Sequence, residues 1–326
     1  MIPFEPHPWL KSAHLQTVVG TMRLPGEEAR SAGLVVHHEV PLLDGDALVL
    51  HDELAIGWRQ GGPVALLIHG LGGDAQSPYL HRIGAKLRRR GVRTLRVDLR
   101  GFGASAPRCR QFFHSGRSDD VRAALKAVAA LCPGSPIRAA GFSLGGHLLL
   151  RALGQSPGEI EIERAVAVSP PCDLESSVEK LREGAGALYD RYFARLLVRH
   201  VAERVRADRS LRLPALTPPP ANIVEFDERF TAPMAGFASA REYYRSSESV
   251  SSLDRIAIPT SIWVSRDDPV VAVGAMERAP RSPWVEIHIT AAGGHLGFVA
   301  RADAQGDRRW MDARVVESLA RGSEGQ

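Results

Sequence analysis

The pattern of hydrophobic and polar positions predicts strands and helices in alternation along most of the chain. Strand candidates are short, mostly apolar runs at residues 63–68, 92–97, 136–140, 165–168, 260–265 and 284–290. Runs of this length and character are typical of strands in a largely buried sheet. Helix-forming stretches separate them, among them residues 118–131 and a final helix at residues 307–320. The alternation predicts a mostly parallel sheet with right-handed crossovers, and therefore an α/β fold.

The first strands are predicted to form an antiparallel hairpin that opens the sheet. Residues 34–40 and 48–54 have the composition of strands, and Asp44 and Gly45 lie between them. An Asp-Gly pair favours a two-residue turn in which both positions have positive φ. The preceding residues 1–30 are rich in proline, and we expect them to be irregular.

The alternation breaks between residues 170 and 252, where the pattern is helical and rich in arginine. Apolar residues recur there at spacings of three and four, which is typical of an amphipathic helix. They are Leu188, Tyr189, Tyr192, Phe193, Leu196, Leu197 and Val201. Ordinary packing on the sheet accounts for this pattern, and a membrane-surface helix is a weaker alternative. We expect residues 1–169 and 253–326 to form the core and residues 170–252 to form an inserted helical cap.

Residues 141–145 read G-F-S-L-G, which matches the G-x-S-x-G pattern of a nucleophile elbow. A strand candidate precedes this motif and a Leu-rich helical stretch follows it. A strand that turns into a helix within three residues forces the turn residue into strained backbone geometry, and the glycines let neighbouring backbone pass. The hydroxyl of Ser143 would then project at the positive N-terminal end of the helix. We therefore predict that Ser143 is a nucleophile.

A serine hydroxyl needs a base to accept its proton and a carboxylate to orient that base. Asp268 and His295 follow Ser143 in the order serine, acid, histidine, and each of the three comes after a predicted strand. Parallel strands bring such positions to one edge of the sheet. His147 is the alternative base, but it would lie one helical turn after Ser143, where we expect it to contact packing rather than substrate.

Asp267 and Asp268 are adjacent, and two successive side chains cannot both face the same histidine. Pro269 biases the backbone of Asp268 towards an extended conformation, which restrains the direction of that carboxylate. We therefore predict that Asp268 is the acid. Asp267 is expected to accept backbone N–H groups within the local turn.

A tetrahedral intermediate also needs two N–H donors aimed at its oxyanion. The backbone of Leu144, directly after Ser143, is one candidate. The backbone of Leu71 is the other, because it lies in a glycine-rich loop, His69-Gly70-Leu71-Gly72-Gly73, after the strand candidate at 63–68. A phosphate-binding loop is the alternative, but this sequence lacks the lysine and the glycine spacing of such loops.

Composition excludes several other classes of protein. The chain has 326 residues with 41 basic and 37 acidic side chains, and this modest excess of dispersed arginine matches no nucleic-acid-binding motif. The three cysteines suggest neither a disulfide framework nor a zinc site, and the histidines have no metal-ligand spacing. The N-terminal residues lack the pattern of a signal peptide, and no apolar run has the length of a membrane span. We therefore expect a cytoplasmic protein that binds no metal ion. Peripheral membrane contact is possible but not expected, and the sequence predicts no oligomeric state.

A set of short motifs extends over almost the whole chain. They are Pro8-Trp9-Leu10, His14-Leu15-Gln16-Thr17, the loop at residues 69–73 with Ser77-Pro78-Tyr79, His114-Ser115-Gly116 with Asp119-Asp120, residues 141–146, residues 226–233, Tyr243-Tyr244, Asp267-Asp268-Pro269 and Gly293-Gly294-His295. Together they resemble the YheT-type branch of the α/β-hydrolase superfamily, whose relatives include eukaryotic abhydrolase-domain lipases and yeast medium-chain ethyl-ester synthases. The resemblance implies an α/β-hydrolase fold, a Ser-Asp-His triad and esterase activity on acyl esters. This sequence departs from the family pattern at His147, where asparagine is usual, and at Phe102, where a small residue or cysteine is usual.

We therefore expect a serine carboxylester hydrolase that cleaves short- to medium-chain acyl esters through an acyl-enzyme, without a metal or organic cofactor. An alcohol acyltransferase would use the same three residues, and an alcohol rather than water would then resolve the acyl-enzyme. A non-catalytic binding protein on the hydrolase fold is the third hypothesis. The intact order of serine, aspartate and histidine argues against it.

Overall fold

The computed structural model describes residues 4–24, 27, 34–155, 158, 161–211, 213–214 and 216–321. Within these residues eight strands form one sheet in the order β1-β2-β4-β3-β5-β6-β7-β8. The strands are β1 (Val35–Pro41), β2 (Ala47–Glu53), β3 (Val64–Ile68), β4 (Arg93–Asp98), β5 (Ile137–Phe142), β6 (Arg164–Val168), β7 (Thr260–Ser265) and β8 (Val285–Thr290). β2 runs antiparallel to both β1 and β4, and the other neighbouring pairs are parallel. The predicted α/β fold, with a mostly parallel sheet and an opening antiparallel hairpin, is confirmed.

The helices lie between and around these strands. The α-helices are α1 (Ala13–Thr21), α2 (Pro78–Arg89), α3 (Ser118–Leu131), α4 (Leu144–Gln155), α5 (Leu174–Leu181), α6 (Gly186–Ala207), α7 (Ile223–Phe226), α8 (Ala232–Ala235), α9 (Ala240–Ser247), α10 (Gly274–Arg278) and α11 (Trp310–Ala320). A π-helical turn at Asp227–Thr231 joins α7 to α8, and 3-10 turns occupy Gly103–Arg108 and Val250–Ser252. Helices α5 to α9 all belong to the long connection between β6 and β7.

The hydrophobic core lies on both faces of the sheet, because successive side chains of a strand point to opposite faces. In β3, Leu66 packs into a cluster with side chains of α3 and α4, whereas Leu67 packs into a second cluster with side chains of α2 and α11. Both leucines are fully buried. The continuous apolar run at residues 63–68 is therefore explained by helices on both faces of a central strand.

The hairpin differs from its prediction in the geometry of the turn. Residues 42–46 connect β1 to β2, and Leu42 N donates to Asp46 O at 2.8 Å while Gly45 N donates to Leu42 O at 3.1 Å. Gly45 has a φ of 85°, but Asp44 does not have positive φ. The two-residue turn predicted from Asp44-Gly45 is wrong, because a longer hairpin loop needs left-handed backbone at one position rather than two.

The prediction that residues 1–30 are irregular is wrong for α1. This helix buries Gln16, Thr17 and Gly20 against the protein, whereas Leu15 and Val18 are exposed. The buried face is polar and the exposed face is apolar, which inverts the pattern of an ordinary surface helix. A search for an apolar stripe therefore misses it.

The parallel strands bring four sequence-predicted site residues to one edge of the sheet. Leu71 follows β3, Ser143 follows β5, Asp268 follows β7 and His295 follows β8. These strands run in the same direction, so the connections at their carboxyl ends meet at a common edge, which is the usual ligand site of α/β sheets. The long connection containing α5 to α9 leaves the sheet from this same edge, after β6.

Candidate active site

Ser143 occupies a sharp turn between β5 and α4. It is a non-glycine residue with a φ of 49°, and its backbone N–H donates to Val168 O at 2.8 Å. A Cβ atom added to Gly145 would lie 2.4 Å from His69 O, and one added to Gly141 would lie 2.4 Å from the carbonyl oxygen of Gly145. The glycines of the motif are thus required by close backbone approach, and the strained serine is held by the tight junction of strand and helix.

The side chains of Ser143, His295 and Asp268 form one hydrogen-bonded chain. His295 Nε2 lies 2.9 Å from Ser143 Oγ, and His295 Nδ1 lies 2.9 Å from Asp268 Oδ2. A carboxylate oxygen can only accept, so Nδ1 carries the proton and Nε2 accepts from the serine hydroxyl. Asp268 is fully buried and His295 is 8% exposed, whereas Ser143 is only partly buried.

The two adjacent aspartates have different partners. Asp268 Oδ1 accepts from Val270 N at 2.8 Å and from Val271 N at 3.0 Å, while its other oxygen faces His295. Asp267 Oδ1 accepts from Gly294 N at 2.9 Å, across the gap between two loops. The expectation that Asp267 binds N–H groups of its own turn is therefore wrong. Asp268 makes those local bonds, and Asp267 fastens the loop that carries His295.

His147 lies on α4 and is fully buried, with partners that do not include the hydroxyl of Ser143. Its Nε2 lies 3.1 Å from Ser115 O, and its Nδ1 lies 3.1 Å from both Ser249 Oγ and Pro171 O. Burial lowers the pKa of His147 to about 4, so the ring is neutral at pH 7. A neutral ring fits here when Nε2–H donates to Ser115 O and the Ser249 hydroxyl donates to Nδ1. His147 thus joins α4 to the loops around it.

The loop after β3 lies directly beside the serine. A Cβ atom added to Gly70 would lie 3.0 Å from Ser143 Cβ, and both Leu71 and Leu144 line the same cavity as Ser143. Leu144 is the first residue of α4, and N–H groups in the first turn of a helix have no acceptor within the helix. His69 braces this loop, because its Nε2 accepts from the backbone N–H of Leu99 and its Nδ1 lies 2.7 Å from Gly70 O.

Ser143 opens onto a mainly apolar cavity. Its walls are rich in aromatic side chains, contributed both by the loops of the sheet and by the segment between β6 and β7. The aromatic lining residues are Phe102, Phe112, Phe113, Phe193, Phe226, Phe230, Tyr243 and Tyr244. Of the stripe predicted on α6, Leu197 and Val201 also line the cavity, whereas Leu188 and Tyr192 are 62% and 58% exposed. Three of the seven stripe residues, with Phe193 as the third, thus line the cavity, and two are exposed to solvent.

A few polar groups interrupt this apolar lining. Burial raises the pKa of Asp227 to about 6, although hydrogen bonds from Thr231 and Tyr244 act to lower it. The Tyr244 hydroxyl lies 2.8 Å from Asp227 Oδ2. Burial, reinforced by Arg117, lowers the pKa of His114 to about 3. At neutral pH the cavity wall therefore carries a neutral imidazole and a carboxyl group that is harder to ionise than usual.

Two residues of α1, Gln16 and Thr17, contact the loop that carries His295, and the sequence patterns predict no role for them. Thr17 Oγ1 accepts from His295 N at 2.9 Å, and the buried Gln16 bonds to the backbone of Val299. The sequence signal for them is their place in the His14–Thr17 motif. In the structure both polar side chains are buried against the protein. A search for nucleophiles, bases and acids does not identify such residues.

Neither a metal centre nor a membrane span is found in the parts of the chain that the structure describes. There, no group of three or more His, Cys, Asp or Glu side chains is arranged to hold a metal ion. No described helix is both long enough and apolar enough to cross a bilayer.

Comparisons with known proteins identify the family and agree with the fold. Residues 65–306 match the family described as "Alpha/beta hydrolase family". The chain is 30% identical over 322 residues to "Putative esterase YheT" of Escherichia coli, covering 97% of this chain and 92% of that protein. It is 27% identical to "Medium-chain fatty acid ethyl ester synthase/esterase 2" of Saccharomyces cerevisiae, covering 80% of this chain and 63% of that one. The solved structure of the esterase Pf2001 of Pyrococcus furiosus has the same fold, with a TM-score of 0.58, 16% identity, and coverage of 98% of this chain and 97% of that one.

Proposed function

The chain belongs to the alpha/beta hydrolase family, in its YheT-type branch, and from that premise we propose that it is a serine carboxylester hydrolase with Ser143, His295 and Asp268 as its catalytic triad. The observation that carries this proposal is the hydrogen-bonded chain from Asp268 through His295 to Ser143, which ends at an apolar cavity. Each contact has the length and direction that general-base activation of a serine requires.

In the first half of the proposed reaction, Ser143 Oγ forms a bond to the carbonyl carbon of an ester while its proton passes to His295 Nε2. Asp268 holds the Nδ1–H of the ring and stabilises the imidazolium that forms. The carbonyl oxygen becomes an oxyanion, for which the backbone N–H groups of Leu71 and Leu144 are the proposed donors. The carbon–oxygen bond to the alcohol then breaks, and the alcohol leaves with the proton from His295.

In the second half, a water molecule replaces the alcohol. His295 accepts a proton from the water as its oxygen attacks the carbonyl carbon of the acyl-enzyme. The bond to Ser143 Oγ then breaks, the serine regains its proton and the carboxylic acid leaves. None of these steps requires a metal or an organic cofactor.

The acyl group is proposed to lie in the aromatic cavity, between a core of residues 1–169 and 253–326 and a cap of residues 170–252. The cap contributes Phe193, Leu197 and Phe226 to the cavity wall, while Phe102 and Phe113 come from the core. A wall of this composition suits an alkyl chain, and we propose that the cavity takes short- to medium-chain acyl groups.

An alcohol acyltransferase is the second candidate function. It is favoured by the yeast relative, whose name joins ester synthesis to ester cleavage. The same acyl-enzyme would form, and an alcohol bound where the first alcohol left would attack it in place of water. Product analysis with an activated acyl ester, in the presence and absence of ethanol, separates the two, because only a transferase gives an ethyl ester as its main product.

Steady-state kinetics on activated acyl esters test the proposed roles. Ser143→Ala and His295→Ala should lose at least about a thousandfold in kcat, because members of a triad act as a unit. His147→Asn is the matched control, since it changes a second histidine near the serine and introduces the residue that is usual in the family. The proposal fails if Ser143→Ala keeps the wild-type kcat, or if His147→Asn is inactive while His295→Ala is active.

A further inference from the structure

The loop that carries His295 has an unusually strained backbone. Gly293 and Gly294 have φ values of 150° and 59°, and the non-glycine residues Leu296 and Phe298 have φ values of 58° and 42°. L-residues with side chains rarely adopt the left-handed region, so such a loop keeps its shape only when its surroundings determine it. The position of the His295 imidazole therefore depends on whatever holds this loop.

Helix α1 contacts the loop closely along one side. A Cβ atom added to Gly294 would lie 2.4 Å from Ala13 O, and one added to Gly297 would lie 2.5 Å from the backbone oxygen of Gln16. Gly20 of α1 also approaches the loop closely, since a Cβ atom added to Gly20 would lie 2.8 Å from Gly297 Cα. Backbone thus packs on backbone at these glycines, where an added side chain would not fit.

Gln16 fixes the end of the loop through both ends of its side-chain amide. Its Oε1 accepts from Val299 N at 2.7 Å, and its Nε2 donates to Val299 O at 3.0 Å and to Leu10 O at 2.8 Å. The side chain is fully buried. A buried amide with these partners holds Val299 as a neighbouring strand would, and it ties the segment before α1 to the same point.

Thr17 fixes His295 itself. Its Oγ1 accepts from the backbone N–H of His295 at 2.9 Å and donates to Ala13 O at 2.8 Å. The opposite side of the loop is fastened by Asp267, which accepts from Gly294 N, and by Ser265, whose hydroxyl donates to Gly294 O at 2.8 Å. The histidine backbone is thus held between α1 and the turn that carries Asp268.

We infer that Thr17 and Gln16 are positioning residues, through which α1 sets the location of the His295 imidazole between Ser143 and Asp268. This inference rests on the proposed function, because it matters for turnover only if His295 is the base. Thr17 has the more direct effect, since its hydroxyl bonds to the histidine residue, and Gln16 acts through the end of the loop at Val299. A displacement of about 1 Å at a catalytic group lowers turnover about a hundredfold, so loss of the Thr17 bond should appear in kcat.

The test compares three substitutions on α1 in the full chain. Thr17→Val keeps the shape of the side chain but removes the acceptor for His295 N. Thr17→Ser restores a hydroxyl at the same position. Thr21→Val is the matched control, because the exposed Thr21 hydroxyl donates at 2.8 Å to Val18 O within the same helix.

We expect Thr17→Val to lower kcat about ten- to a hundredfold with little change in KM, and to slow labelling of Ser143 by a fluorophosphonate to a similar extent. Thr17→Ser should recover most of the wild-type kcat, and Thr21→Val should match the wild type. Rates are compared per folded molecule, measured by thermal unfolding. If Thr17→Val does not fold, Thr17→Ala provides the same comparison with less crowding.

Two outcomes overturn different claims. If the wild type is active and Thr17→Val has the kcat of Thr21→Val, or if Thr17→Ser is as impaired as Thr17→Val, the positioning role is wrong and the proposed function stands. If the folded wild type neither cleaves esters nor reacts with the fluorophosphonate, the proposed function itself fails, and the inference fails with it.

Discussion

Asp268 and Asp267 show how two identical side chains, one residue apart, acquire different roles at the scale of single residues. Asp268 uses one oxygen for the N–H groups of Val270 and Val271 and the other for His295, whereas Asp267 binds Gly294 N. The position of Asp268 after a strand and before a proline predicts a restrained direction for its carboxylate, and in the structure Asp268 Oδ2 lies 2.9 Å from His295 Nδ1. The partner of Asp267 lies on a loop 27 residues later, and local sequence does not specify such a contact.

Substitution of each aspartate by asparagine separates their contributions. Asp268→Asn should lower kcat by roughly 10³–10⁴, as in other triads, because a neutral amide supports neither the required tautomer nor the imidazolium. Asp267→Asn should cost much less, since an amide oxygen can still accept from Gly294 N. The kcat values are measured at equal folded fractions. An inactive Asp267→Asn beside an active Asp268→Asn would contradict the assignment.

His147 gives a prediction about pH and stability. Burial lowers its pKa in the folded protein to about 4, below the ordinary value of 6.5. The unfolded chain therefore binds a proton more readily, so the stability that depends on a neutral ring is complete above pH 6.5 and is lost as the pH falls towards 4. Between pH 7 and pH 4, the free energy of unfolding of the wild type should fall by about 3 kcal/mol more than that of His147→Asn.

Chemical denaturation of both proteins across this pH range provides the measurement. His114 and His200 also have lowered pKa values, but they are present in both proteins, so the difference isolates His147. If the free energy of unfolding of both proteins changes with pH in parallel, the prediction is wrong, because the folded protein then accommodates an imidazolium at position 147.

At the scale of elements, sequence patterns worked where a segment buries an apolar surface. β7 (Thr260–Ser265) has the predicted bounds, and β3 differs from its prediction by one residue. α1 was missed because its buried face consists of Gln16, Thr17 and Gly20. The pattern of hydrophobic positions indicates segments that bury apolar surface. It does not indicate a helix that is held by hydrogen bonds and close backbone contact.

The junction of β3 and α4 provides a prediction at this scale. In Gly145→Ala, the new methyl group would lie 2.4 Å from His69 O and 2.6 Å from Ile68 O, and backbone cannot yield as a flexible side chain can. The free energy of unfolding should fall by about 1–3 kcal/mol, which is typical of overpacking. Gly274→Ala in α10 is the control, because the atoms nearest to its methyl group would belong to the movable guanidinium of Arg278, at 3.2 Å and beyond. Chemical denaturation should show a loss for the first substitution and none for the second.

At the scale of the whole molecule, a small set of buried arginines joins separate elements of the core through ion pairs. Arg100 is buried and pairs with Asp120 at 2.8 Å and with Asp46, and Arg82 is bound to Asp312 at 2.9 Å. Paired guanidinium groups of this kind make no net charge available to a polyanion. A sequence count of charges does not distinguish such buried, paired arginines from arginines at the surface.

The cavity between the proposed core and cap predicts a preference for acyl chain length. Each methylene that becomes fully buried contributes about 0.8 kcal/mol, so kcat/KM should rise by up to about fourfold per carbon from acetyl to medium-length esters. The measurement is a series of activated esters that share one leaving group. A steady fall in kcat/KM from acetyl upwards would contradict the proposal that the aromatic cavity holds the acyl chain.

If Ser143 is the nucleophile, it becomes covalently bonded during turnover, and peptide mapping of a trapped adduct detects that bond. Cleavage after Arg138 and Arg151 gives a peptide of residues 139–151 in which Ser143 is the single hydroxyl-bearing residue. After treatment of the folded protein with a fluorophosphonate, mass spectrometry should find the added phosphonyl mass on this peptide, with loss of esterase activity in proportion to labelling. An unmodified 139–151 peptide in fully inactivated protein, with the adduct on another serine, would contradict the proposal that Ser143 is the nucleophile.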